Sequence, residues 1–288
     1  MAAVMLFMAA DDDVAKKSLY DLLDRRAAEI DKKNIVHDEL TGLIEDPNQR
    51  AEDVKYFLAE GQFYNTCVLD SILVSLHILY KKMSVIRSLF KRDRTLHAAI
   101  MLLEAKLYED ARCLWLINLQ LIGAGFRRRS LDITSNVSDH LPMFNDLVRA
   151  RYHYDDDRTS PRLGGMIYYN TLKSFEDYGD AIAMGPEASP VFILINVAGR
   201  LESCPPDCIT DCYDRCYKLQ FLLLGIIEPE FNHMVAAVNL NKRWVLYAAD
   251  ASGETHFQDF NMAAGIGDMV VHLAGYVTTK NEDSSSLD

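Results

Sequence analysis

Asn65-Thr66-Cys67-Val68-Leu69-Asp70-Ser71-Ile72-Leu73-Val74-Ser75-Leu76-His77 passes from a short polar run into an apolar pattern, with a cysteine at the join. Ile72, Leu73, Leu76 and Leu79 recur three and four residues apart, which places them on one face of a helix. Cys67 therefore falls at or just inside the first turn, with Asn65 or Thr66 as N-cap. Unpaired backbone N–H groups and the positive end of the helix dipole stabilise a thiolate there and lower the thiol pKa. That is the setting of a cysteine nucleophile. A core cysteine ahead of an amphipathic helix is the commoner arrangement, so position alone does not decide the chemistry.

The 288 residues suffice for one large or two modest domains. With 49% hydrophobic and 25% charged residues the chain can bury a sizeable core. A formal net charge of -12 argues against a nucleic-acid partner and suits a partner with a basic face. The apolar run 1–10 is too short to span a bilayer, and no positive charge precedes it as a secretory signal requires. No membrane helix is expected. These features predict an intracellular protein (cytoplasm or nucleus) with reduced thiols.

Along the chain, residues 11–46 read as one or two helices with Leu19, Leu22, Leu23, Ala27 and Ile30 as the apolar stripe. Glu45-Asp46-Pro47-Asn48 is a turn, so residues 1–55 form an N-terminal helical extension and 56–280 the main domain. Residues 96–121 read as one helix ended by Gly123-Ala124-Gly125. Arg127-Arg128-Arg129 reads as a solvated basic turn, and 130–180 as loops and short elements. From 190 onward the runs 191–197, 219–227, 234–240, 243–249 and 269–277 read as antiparallel strands. Residues 281–288 are a polar tail. A helical front and a strand-rich back make an α+β domain, its Cys67 helix packed on a C-terminal antiparallel sheet.

The second chemical element is Asn232-His233-Met234-Val235-Ala236-Ala237-Val238, with Trp244 and Tyr247 on the return strand. A histidine at a strand start can project towards the N-terminus of a packed helix. Paired with a thiol it removes the proton before attack on a carbonyl and returns it to the leaving amine. An ordinary half-buried histidine is the alternative, and His77, His97 and His272 read that way.

Asn65-Thr66-Cys67-Val68-Leu69-Asp70-Ser71 resembles the cysteine box of ubiquitin-specific proteases, most closely in cylindromatosis-type and large-DNA-virus members. His233-Met234-Val235-Ala236-Ala237-Val238 resembles that family's histidine box, and it follows Cys67 by 166 positions (233 − 67). SUMO-type proteases have the reverse order. The resemblance implies a papain-like fold, with Cys67 as nucleophile, His233 as general base and acid, and Asn65 as oxyanion donor. It implies hydrolysis after the terminal glycine of ubiquitin or a ubiquitin-like protein, with no metal in the chemistry.

The family's orienting acid or amide falls at Ala248 here, and Asp250 is the nearest carboxylate. Three outcomes follow: a triad closed by Asp250, which we favour; a dyad; or a pseudoprotease acting as a ubiquitin-binding or scaffold protein. A papain-like amidase or acyl transferase on another substrate is a further reading.

Cys204, Cys208, Cys212 and Cys216 recur every fourth residue. Four thiolates suit a structural zinc, and the family's fingers subdomain carries one. On a helix the four would stretch over about 18 Å, so a loop is needed to gather them, and Pro205-Pro206 favours one. Free thiols are the alternative to zinc, and disulfides are disfavoured. Cys113 reads as core. Pro161-Arg162-Leu163-Gly164-Gly165 is similar to the ubiquitin tail but reads as a surface loop.

Overall fold

The computed structural model describes residues 21, 24–25, 28–30, 39–46, 48–51, 63–122, 131–144, 147, 167–172, 190–197, 204–211, 213–228, 231–249 and 255–279. Helix α1 (Glu39–Glu45) precedes a short strand, β1 (Phe63–Tyr64), and then α2 (Cys67–Lys82). Every residue of α2 from Val68 to Tyr80 is buried. A helix that is apolar on nearly all sides belongs in an interior, and α2 is the central helix of the domain.

Helices α3 (Ser84–Phe90), α4 (Arg94–Glu104) and α5 (Tyr108–Asn118) follow. The single helix expected over 96–121 is thus two. The break has no glycine or proline to announce it. Lys106 takes a left-handed φ of 57°, and the amides of Lys106 and Leu107 bond back to Leu103 O and Leu102 O. This is a Schellman cap, closed by the Leu107 amide on Leu102 O. Helix α5 ends the same way, with Gln120 at φ 58° rather than at the glycines 123 and 125, which lie outside the described residues.

Short elements come next: β2 (Leu131–Asp132), parallel to β1, and α6 (Val137–His140). Strands β3 (Ile167–Leu172), β4 (Phe192–Val197), β5 (Cys208–Thr210), β6 (Cys216–Glu228), β7 (Phe231–Leu240), β8 (Arg243–Ala249), β9 (Thr255–Phe260) and β10 (Val270–Thr278) form one sheet. Its order is β3-β4-β10-β6-β7-β8-β9, with β5 added beside β6. All its pairings are antiparallel except β3 with β4. The architecture is α+β. The β7–β8 turn at Asn241 and Lys242 has φ of 54° and 73°, the left-handed pair that a two-residue hairpin requires.

Alternation along the strands divides the sheet into two apolar faces. Met234, Ala236, Val238 and Leu240 of β7 join Val245 and Tyr247 of β8 in the core beneath the helices. Val235, Ala237 and Leu246 join a second core on the opposite face. Helix α2 lies along β7 on the first face. Ser71 Oγ donates to Met234 O at 3.3 Å near one end, and Lys82 Nζ donates to Asn239 O at 2.9 Å near the other. A one-residue slip of β7 would reverse both faces, so these contacts and the apolar pattern enforce one register.

Of the segment assigned above to an N-terminal extension, Leu40, Leu43 and Ala51 enter the helix-side core. Asn241 Nδ2 donates to Ile44 O at 2.9 Å, and Arg243 Nη1 donates to Gln49 O at 2.8 Å. Among the described residues no helix is long and apolar enough to cross a membrane.

Candidate active site

Cys67 is the first residue of α2 and is half-buried. Ser71 Oγ of the same helical turn donates to the carbonyl of Met234, the residue after His233, at 3.3 Å, and the amides around the sulfur favour its thiolate. The first turn of α2 and the start of β7 therefore meet across the chain.

The expected lowering of the thiol pKa does not occur. Burial pushes the Cys67 thiol up, and the Asp70 carboxylate in the same turn adds to the rise. The amides of Met234, Val68 and Cys67 pull the other way and are outweighed. A helix N-terminus favours a thiolate, but an apolar pocket with a carboxylate one turn on favours the thiol.

Thr66 occupies the N-cap position, yet its side chain makes no cap hydrogen bond. Its hydroxyl instead donates to Asp70 Oδ2 at 2.7 Å. Asp70 also accepts from Arg112 of α5, through Nε at 2.8 Å and Nη2 at 2.7 Å. Glu109 takes the remaining side of the guanidinium. Burial opposes the charge on Arg112, but the two carboxylates hold it above its ordinary pKa. Tyr247 of β8 is packed against this group, and burial, then Asp70, pushes its phenol well above the usual range.

Asn65 adopts a left-handed φ of 58°. Its Nδ2 donates to Asp132 Oδ1 at 3.1 Å on β2, and Asp132 also accepts from the Thr134 amide and hydroxyl. The Thr134 hydroxyl first, then Asn65, hold the Asp132 carboxyl below its ordinary range. The Asn65 amide is thus engaged with an exposed carboxylate at the rim.

His233 is half-buried, and burial lowers its pKa. By alternation it leaves β7 on the side of Val235, and its cross-strand partner Ile226 packs in the second core. The structure thus brings the backbone beside His233 to Cys67 and starts its side chain on the other sheet face. Asp250 lies outside the described residues, as do Arg127-Arg128-Arg129, residues 161–165, Cys212 and the tail 281–288.

A histidine outside the motif lies on the Cys67 face. Gly225 of β6 pairs with Met234, and a Cβ on Gly225 would lie 2.5 Å from Nε2 of His272. The sequence carried no periodic signal for it, because His272 sits at a register shift of β10 between Val271 and Leu273.

Of the four evenly spaced cysteines, Cys208 and Cys216 are joined to each other in a disulfide between β5 and β6, and Cys204 is free and exposed. The disulfide departs from the expected thiols: antiparallel pairing of β5 with β6 sets the two Cα atoms 6.5 Å apart. Among the described residues no three His, Cys, Asp or Glu side chains gather into a metal-binding group. An open cavity of about 750 Å³ lies at the far end of β7, lined by Arg50, Cys204, Lys242, Trp244 and Phe260 among others. Cys67 is not among its lining residues.

No family model matches the chain, and no curated protein matches it. Solved structures do. The chain is similar to a structure of the SAGA Ubp8/Sgf11/Sus1/Sgf73 DUB module, at TM-score 0.45 and 10% identity, over 93% of this chain and 75% of that one. It is also similar to that module bound to ubiquitin aldehyde, at TM-score 0.46 and 11% identity, over 93% and 76%. A third is a variant of the module bound to monoubiquitin, at TM-score 0.45 and 11% identity, over 93% and 76%.

Proposed function

We propose that the chain is a thiol hydrolase of the ubiquitin-specific-protease type, acting after the C-terminal glycine of ubiquitin or a ubiquitin-like protein. One observation carries the reading: Ser71, in the first turn of the Cys67 helix, donates to Met234 O beside His233 at 3.3 Å, so the two segments that resemble the family's boxes converge. Cys67 attacks the carbonyl carbon, and the amine leaves as a thioester forms. Because burial keeps the thiol protonated at rest, a base must remove its proton as substrate binds. His233 is the base that the resemblance implies, with Asp250 to orient it. Asn65 would donate to the oxyanion after releasing Asp132.

The test is a ubiquitin probe carrying a C-terminal electrophile. It should form a covalent adduct at Cys67 that Cys67→Ala abolishes, and folded protein that forms no adduct and cleaves no conjugate rejects the proposal. A second reading is supported by the raised Cys67 thiol and the engaged Asn65 amide: a binding protein without turnover. Calorimetric binding of ubiquitin with no cleavage would select it.

A further inference from the structure

We propose that the open cavity at the β7–β8 turn is a docking site for an acidic, extended peptide segment of a partner protein. The site stands apart from Cys67 and does not depend on its chemistry. Helix α2 runs between the two places, with Ser71 bonded to Met234 O near the Cys67 end and Lys82 to Asn239 O near the cavity end. From Cys67 to Lys82 the helix rises about 22 Å. The cavity holds about 750 Å³. Its walls come from residues 48–50, from Cys204 and Asp207, from the β7–β8 turn, and from the end of β9 with the residues that follow.

Charge complementarity selects an acidic occupant. Arg50, Lys242 and Arg243 line the cavity against Asp207 and Asp259, three cations to two carboxylates in a chain of net charge -12. Arg243 Nε is paired with Asp259 Oδ1 at 2.8 Å. Arg50 and Lys242 are exposed, and neither side chain has a partner among the described residues. The fold fixes where they stand. Lys242 occupies the second left-handed position of the two-residue turn. Asn241 Nδ2 and Arg243 Nη1 hold the segment before Arg50 against that turn, through Ile44 O at 2.9 Å and Gln49 O at 2.8 Å. Asp207 acts on the Cys204 thiol, and both lie on the segment leading into β5.

The apolar part of the cavity is aromatic. Trp244 and Phe260 are cross-strand partners on β8 and β9, and both, with Met262, are partly buried against the second core. The indole N–H of Trp244 has no acceptor among the described residues. Tryptophan and arginine in one recess are the residue types that dominate binding at protein interfaces. A peptide with carboxylates and an apolar side chain answers both the unpaired cations and the rings. A nucleic-acid strand would stack on the rings, but its unbroken line of phosphates would also meet Asp207 and Asp259.

The experiment titrates the full chain with a fluorescein-labelled pool of nonapeptides built from Glu, Asp, Leu and Phe, read by anisotropy. A pool with Lys in place of the acids is the control. Trp244 and the exposed thiol of Cys204 are reporters within the cavity, and Trp115 is fully buried elsewhere. The acidic pool should bind, its unlabelled form should shift the tryptophan emission, and iodoacetamide should alkylate Cys204 more slowly while the Cys67 rate stays unchanged. Arg50→Glu with Lys242→Glu should weaken binding on the order of tenfold or more. Both side chains are exposed, so this variant reverses charge without disturbing the core. No binding of the acidic pool, equal binding of the lysine pool, or binding that survives the double variant overturns the proposal. Protection of Cys67 in place of Cys204 overturns it equally. So does an RNA oligonucleotide that binds more tightly and displaces the pool, which would assign the cavity to a nucleic-acid strand.

Discussion

Asp70 and Arg112 are joined by two hydrogen bonds of 2.8 and 2.7 Å, 42 positions apart in sequence and both buried. This fork ties the first turn of α2 to α5. It also leaves the Asp70 carboxylate, one turn from Cys67, with a cation of its own. The residue that positions the thiol and the residue that disfavours the thiolate are thus the same.

Removing one partner of such a pair strands a buried charge. Arg112→Leu is expected to destabilise the fold by about 3–5 kcal/mol, whereas Asp70→Asn with Arg112→Leu should recover most of the loss. Urea unfolding of the two single variants and the double variant measures this. Additive losses would show that the pair does not act as a unit.

The Cys67 thiol should titrate above the usual cysteine range of about 8.5. Asp70→Asn removes a carboxylate that raises it and should bring its alkylation midpoint down. The pH profile of Cys67 alkylation reads both; a midpoint below that of free cysteine would contradict the burial argument.

His140 is fully buried, accepting from Trp115 Nε1 on Nδ1 at 3.2 Å, with its Nε2 2.8 Å from Ser135 Oγ. Burial pushes its pKa down from 6.5 to about 4. Between those values the unfolded chain binds a proton that the folded chain does not, so this contribution is present above pH 6.5 and is lost as pH falls towards 4. About 2 kcal/mol should disappear between pH 7 and pH 5 through His140 alone. Denaturant titrations at the two pH values, followed by Trp115 fluorescence, test it, and His140→Gln should flatten the slope.

Gly275 of β10 faces Phe221 so closely that a Cβ would overlap the Cε1 and Cδ1 atoms of the ring. Phe221 is buried and packs against Phe192, so it has little room to yield. Gly275→Ala should cost about 1–3 kcal/mol, and Phe221→Leu should relieve part of it. Thermal unfolding of the single and double variants decides the point.

Much of the fold was legible in the residues. The strands over 192–197, 243–249 and 270–278 fall within a residue of where alternating β-branched and aromatic runs place them. Cys67 opens its helix as the apolar spacing predicts. The break at Lys106 was not legible, because its cap uses a left-handed lysine where local signals call for glycine. Nor was His272, whose place depends on a bulge in one strand and a glycine in another.

By itself, the amino-acid order determined the helix that begins at Cys67, the strands behind it and the alternation that gives the sheet two faces. These depend on near neighbours in the chain, and short-range periodicity records them. Tertiary structure decided the protonation of Cys67, the engagement of Asn65 with Asp132 and the presence of His272 on the thiol's face. Each depends on groups far apart in sequence, because burial and charge act through space, and no local pattern encodes which strand will lie beside which.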